Sequence, residues 1–292
     1  MAPKPIRTLR NLTRYRKSQI QDRSREAARL HKMLKDAGIK LATVATDIMG
    51  KSGRDMINAL VSGTTDPVVL ADLARGLLRK KIPALREALQ GRFDVEHSLI
   101  ISQILAHIDF LDESIGRLCD EIKPRIEPFA RQRDLLMSIP GVRQRTAEVL
   151  MSEIGVDMTI FATPKHLASW TKMSPGNDKS AGKRRSGKTG KRNKWLTATL
   201  TEAALSAGKT KNSHLAAQYQ RLRGRRGHNK AVTAVGHSIL TTISHMLQTG
   251  ELDNDPGNDY FTRHNPDRTT KRLIRQLKAL GHHVTIKPRE VA

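Results

Sequence analysis

The stretch HSLIISQILAHIDFLDESIGRLCDEIKP, residues 97–124, constrains the fold of this chain more than any other. Ile101, Ile104, Ile108, Leu111, Ile115, Leu118 and Ile122 follow one another at alternating steps of three and four. That spacing sets all seven on one narrow stripe of an α-helix, the seam pattern of a coiled coil. A stripe so narrow needs a second helix laid along it. The partner is another helix of the same core, the other arm of a helical hairpin, or a second copy of the chain, and the spacing leaves all three open. Asp109, Asp112 and Glu113 flank the stripe and read as solvated charges rather than as a metal site.

The rest of the chain is patterned for shorter helices. Residues 1–40 read as one basic helix, with Leu9, Leu12, Ile20, Ala27, Leu30 and Leu34 among arginines and lysines, and Gly38 placed to end it. Residues 41–92 carry short helical patterns broken by turn signals at MGKSG, SGTTDP and LQGRF. Asp66 is positioned to cap a helix that opens with Pro67, and Pro83 to restart or kink it. Residues 93–127 hold the heptad helix. Pro124 and Pro128 mark a change to short helices with glycine joints over 128–250. Residues 251–292 open as polar loop and close as a helix stopped by Gly281, followed by a short strand. The expected architecture is therefore mainly α: a basic N-terminal helix, a long heptad helix and an all-helical C-terminal domain.

Charge narrows the partners. Fifty-two lysines and arginines stand against 28 acids in 292 residues, a formal charge of +24. Such an excess draws in polyanions. No apolar run approaches the length of a membrane span, so nucleic acid and not a bilayer is the expected partner. A single cysteine, Cys119, excludes a disulfide framework and cysteine-based metal sites. Aromatic residues make up only 3%, too few for base stacking to dominate binding.

AGKRRSGKT, residues 181–189, matches the Walker A pattern letter for letter. A working P-loop needs a buried strand before it and a helix starting at its Lys-Thr. Here Pro175 and Gly176 stand upstream, Gly190 follows Thr189, and no apolar strand ends in an aspartate for magnesium. The match is read as chance. What remains is a loop of cations, glycines and hydroxyls. Lys179, Lys183, Arg184, Arg185, Lys188, Lys191 and Arg192 are suited to neutralising backbone phosphates, and the glycines let main-chain amides come close. A hydroxyl in such a loop is a phosphate contact or a nucleophile. Upstream, LLMSIPGVRQRTAEVLMSEIG has the outline of a helix-hairpin-helix, in which Gly141 and Arg143 would meet a DNA phosphate without reading bases. Arg143 stands where the second hairpin glycine is usual.

SIPGVRQRTAEVLMSEIGVDMTIFATPKHLASWTKMSPGNDKSAGKRRSG, followed by RLRGRRGHNKAVTAVGHSIL, resembles the C-terminal domain of the Piv/MooV-type insertion-sequence transposases. These are recombinases with a RuvC-like DEDD domain, guided by a bridge RNA. The likeness extends upstream to PIRTLRNLTRYRKSQ and the heptads, and downstream to LGHHVTI. It implies that Ser180, in SAGK, is the catalytic serine that attacks a DNA phosphodiester and holds the strand as a phosphoserine ester, with Ser186 as the alternative. It implies Arg225 and Arg226 as further nucleic-acid contacts. Two positions depart from the family: Arg192 replaces a glycine, and Thr197 an arginine. The four acids of the RuvC-like half have no counterpart here, so residues 1–40 read as a remnant of that domain's last helix. No cofactor is then expected on this chain alone, and magnesium only if that half is supplied.

The expectation is a transposition protein, catalytically incomplete by itself, that binds DNA and, as the resemblance implies, a structured guide RNA. It would self-associate through the heptad helix and work at the nucleoid in a prokaryotic cytoplasm. The competing reading is a non-enzymatic nucleic-acid-binding protein that uses the same loop and hairpin as a phosphate clamp. Without the sheet that they would cover, Leu9, Leu12 and Ile20 should leave the first forty residues poorly anchored.

Overall fold

Two long helices dominate one part of the fold and short capped helices the other. The computed structural model describes residues 3–173, 193–264 and 266–286, together with the backbone of 179–180 and 183–184. It is mainly α. By packing, the chain divides into two units, residues 11–125 and residues 1–10 with 126–292.

In the first unit, α1 (Lys4–Asp36) runs 33 residues and α6 (Val95–Ile126) 32. Arg16 lies against Cys119 (3.7 Å), Arg23 against Asp112 (3.0 Å), and Glu26 against His107 (3.1 Å). As the numbers rise on one helix they fall on the other, so the two are antiparallel. The heptad residues Ile101, Ile108, Leu111, Ile115 and Ile122 are buried, and so are Thr13, Arg16, Leu30 and Leu34 on α1. The seam is thus filled within a single chain. The expectation of a loosely held N-terminal helix is not met over residues 13–34: Thr13, Arg16, Leu30 and Leu34 are buried, and Arg16, Arg23 and Glu26 meet side chains of α6.

Between these arms lie α2 (Leu41–Val44), α3 (Lys51–Val61), α4 (Pro67–Asp72), a 3-10 turn at Gly76–Lys81 and α5 (Ile82–Ala88). Leu41, Met56, Ile57, Leu60, Leu70, Leu85 and Leu89 join Leu30, Leu34, Ile101 and Ile108 in one hydrophobic core. Asp66 caps α4 by accepting from the Val68 amide (2.8 Å), and the chain re-enters a helix at Ile82, one residue before Pro83.

The second unit is built around α12 (His228–Thr249), whose buried face runs Ala231, Val235, Ile239, Ile243 and Met246. Against it pack α7 (Ala130–Met137), α9 (Pro164–Trp170), α10 (Lys194–Ala207) and α11 (His214–Arg226), while α8 (Gln144–Ile154) packs on α7 and α10. Gly141, in the turn between α7 and α8, has φ +88°, and a Cβ there would come within 2.5 Å of backbone atoms of Ala203 and Ala207. Only glycine allows α10 so close. Beyond Gly250 come α13 (Tyr260–Arg263) and α14 (Pro266–Ala279). The short strand expected after Gly281 does not form in residues 282–286. Those residues are mostly exposed and no described strand runs beside them, so their backbone has no ladder to join.

Candidate nucleic-acid interface

The segment 174–192 carries most of the predicted contacts, and its two ends are tied down. At the first end, α9 closes with the Met173 amide bonded to the Ala168 carbonyl (3.0 Å), and Lys172 takes the left-handed φ of +57°. This is a Schellman-type ending with lysine where glycine is usual. Met173 is buried, close enough to Gly236 of α12 that a Cβ there would lie 3.2 Å from its methyl.

At the other end, Asn193 caps α10. Its Oδ1 accepts from the amides of Trp195 (3.0 Å) and Leu196 (3.3 Å), and its Nδ2 donates to Glu153 Oε2 (2.7 Å). Glu153 is buried at 1% exposure. Arg10 Nε sits 3.9 Å from the same carboxylate and donates to the Ser152 carbonyl at 2.8 Å. A buried carboxylate is tolerable because a guanidinium and an amide share it. Between the ends, Lys179–Ser180 pairs antiparallel with Lys183–Arg184, which sets Ser180 opposite Lys183 in the backbone ladder. That short hairpin was not read from the sequence. Arg185, Ser186, Lys188, Lys191 and Arg192 lie outside the described residues.

The predicted hairpin is a helix–turn–helix of α7, residues 138–143 and α8. The close approach to α10 is reason enough for glycine at 141. Arg143, Gln144 and Arg145 are exposed at the start of α8, where Arg143 makes no side-chain cap. The uncapped start of α8 is therefore exposed beside two arginines, which suits an anion.

Arg225 and Arg226 close α11 and are exposed, as are Arg223, His228 and Lys230. Gly227 turns the chain with φ +83°, and Tyr219 Oη bonds His228 Nδ1 at 2.8 Å to hold the corner. Arg223 and Lys230 were missed, although the quoted RLRGRRGHNK contains both. Also missed was the pair Phe161 and Trp170, with ring centroids 5.5 Å apart. Nearby, Asp157 accepts from the hydroxyl (2.6 Å) and amide (2.9 Å) of Thr159, bonds that hold its carboxyl below the usual aspartate range.

Among the described residues, no group of three or more His, Cys, Asp or Glu side chains is placed to hold a metal ion. No described helix is long and apolar enough to cross a membrane. No curated protein matches this chain. Residues 133–220, which run from α7 into α11 and take in Gly141, Ser180 and both anchored ends of the basic segment, match the Transposase IS116/IS110/IS902 family model.

Proposed function

We propose that this chain is a DNA-binding transposition protein whose basic segment 174–192 grips a phosphodiester for attack by Ser180. The observation that carries the reading is that this segment falls inside the span similar to a transposase family. Its flanks support it: Met173 is buried near Gly236 and Asn193 bonds buried Glu153, so the chain enters and leaves the basic segment from a packed helical unit. Lysines and arginines there offset the phosphate charge that otherwise repels a nucleophile. The Ser180 hydroxyl oxygen bonds to phosphorus as the bond from phosphorus to one sugar oxygen breaks, and the hydroxyl proton ends on that sugar oxygen. The product is a phosphoserine ester and one free strand end, with the ester available for rejoining.

The described residues bring together no acidic set for the magnesium that the family resemblance implies. A structured guide RNA would meet the same cations. The clamp alternative keeps the grip and drops the attack.

The test uses the full chain with labelled duplex DNA. Reversing Arg184 and Arg185 to glutamate lowers affinity at least tenfold, and Ser180→Ala leaves affinity unchanged while abolishing any protein–DNA adduct stable to denaturant. Unchanged binding by the double reversal, or an adduct formed by Ser180→Ala, overturns the reading. No adduct from the parent chain even when the acid-bearing half of a family member and magnesium are supplied in trans selects the clamp.

A further inference from the structure

The chain has two tryptophans, and they bracket the basic segment: Trp170 ends α9 before it, and Trp195 lies in the first turn of α10 after it. They are not alike. Trp195 is half-buried, with Lys194 Nζ 4.9 Å from its ring centre. Trp170 is 53% exposed, beside Phe161, and Ile160 next to it in sequence is 67% exposed. A tryptophan left half in water forgoes the burial that large rings normally gain.

The mount beneath this pair is packed and hydrogen-bonded. Leu167, Ala168 and Thr171 of α9 are buried, and the Thr171 hydroxyl donates to the Ala168 carbonyl (3.0 Å). Thr163 caps the helix, accepting from the His166 amide. On the other side Met158 is buried, and the Phe161 amide donates to its carbonyl (3.0 Å). Rings carried on backbone held in this way need little reordering of the chain when something stacks on them.

We infer that Trp170, with Phe161 behind it, is a stacking platform for an unpaired base of the DNA strand whose phosphate the basic segment holds. This deepens the proposed function and rests on it. Charge selects the occupant. From residue 155 to 194 there are ten lysines and arginines against two aspartates, Asp157 and Asp178. Lys165, His166 and Lys172 are exposed on or beside the helix that carries Trp170. An apolar face flanked by these exposed cations, on a stretch of chain so rich in positive charge, fits a polyanion with a flat, uncharged part, which is a strand with its bases unstacked. In a duplex the base faces are already covered, so the platform favours DNA that is opened at the reacting site.

The test uses the full chain carrying Trp195→Phe, so that Trp170 is the sole tryptophan. The probes are a mixed-sequence single-stranded DNA oligonucleotide, its perfect duplex and the RNA of the same sequence. Single-stranded DNA is expected to quench Trp170 emission, and the duplex to leave it nearly unchanged. Trp170→Ala lowers affinity for the single strand about tenfold, as for one lost stacked base, and changes duplex affinity less than twofold. Trp170→Phe recovers most of the loss. Equal loss on both DNA forms, or no loss on either, overturns the platform while leaving the basic grip standing. A loss confined to RNA, or a Trp170-dependent self-association that nucleic acid does not disturb, overturns it in favour of those partners. A parent chain that binds none of the three probes removes the grip and the platform together.

Discussion

Asn193 does three things with one amide. Its oxygen caps α10, its nitrogen bonds buried Glu153, and its backbone is where the basic segment re-enters the described fold. The sequence showed an asparagine before a helical run, but the carboxylate it meets lies 40 residues away, and no local pattern announces that. Glu153 itself reads as one more charge on an amphipathic helix. Only the fold shows it turned inward. Asn193→Asp separates the two roles: the cap acceptor remains, while the donor to Glu153 becomes a second carboxylate. That change is expected to cost about 1–3 kcal/mol by urea unfolding at neutral pH, since a buried acceptor loses its partner and gains a like charge. Adding Glu153→Gln restores a donor across the same gap. The double variant is expected to recover at least half of the loss, and failure to recover would mean that the contact contributes little.

The heptad stripe of α6 was legible because a period of three and four needs no knowledge of what fills it. Its partner was not legible. The matching stripe on α1 is interrupted by Thr13, Arg16, Arg23 and Glu26, which read as surface residues. In the structure Arg16, Arg23 and Glu26 meet Cys119, Asp112 and His107 along α6. A polar residue on a seam is recognisable as such only once its opposite number is known. Leu30 is fully buried in the core it shares with Ile101 and Ile108. Leu30→Ala is expected to lower the stability of the unit by about 3 kcal/mol, the usual result of emptying a packed leucine site. Hydrogen exchange gives the sharper check. Amides of residues 13–34 should be protected in the parent and lose protection together with those of α6 in the variant. Fast exchange across 13–34 in the parent would show that the two helices do not pair.

A formal charge of +24 is spread unevenly over this chain. Helix α6 carries six acids against three lysines and arginines, while 174–192 holds a single acid. Composition pointed to a polyanion as the partner, and the cluster of cations to the segment proposed to meet it. What stayed hidden was how such a segment could be held in place, because its fixed ends depend on Gly236 and Glu153, both distant in sequence. The uneven spread has a measurable consequence. If overall charge alone drove binding, removing any two cations would weaken it equally. If phosphates are held by the basic segment, Arg184→Gln with Arg185→Gln releases two fewer counterions, and the slope of log affinity against log salt becomes shallower by about 2. Lys80→Gln with Lys81→Gln, in the other unit, removes the same charge and should leave the slope within about 0.5 of the parent. Duplex DNA titrated over a series of salt concentrations separates the two cases. Equal slopes for both double variants would mean that the +24 acts as a diffuse field and that no segment of this chain is its grip.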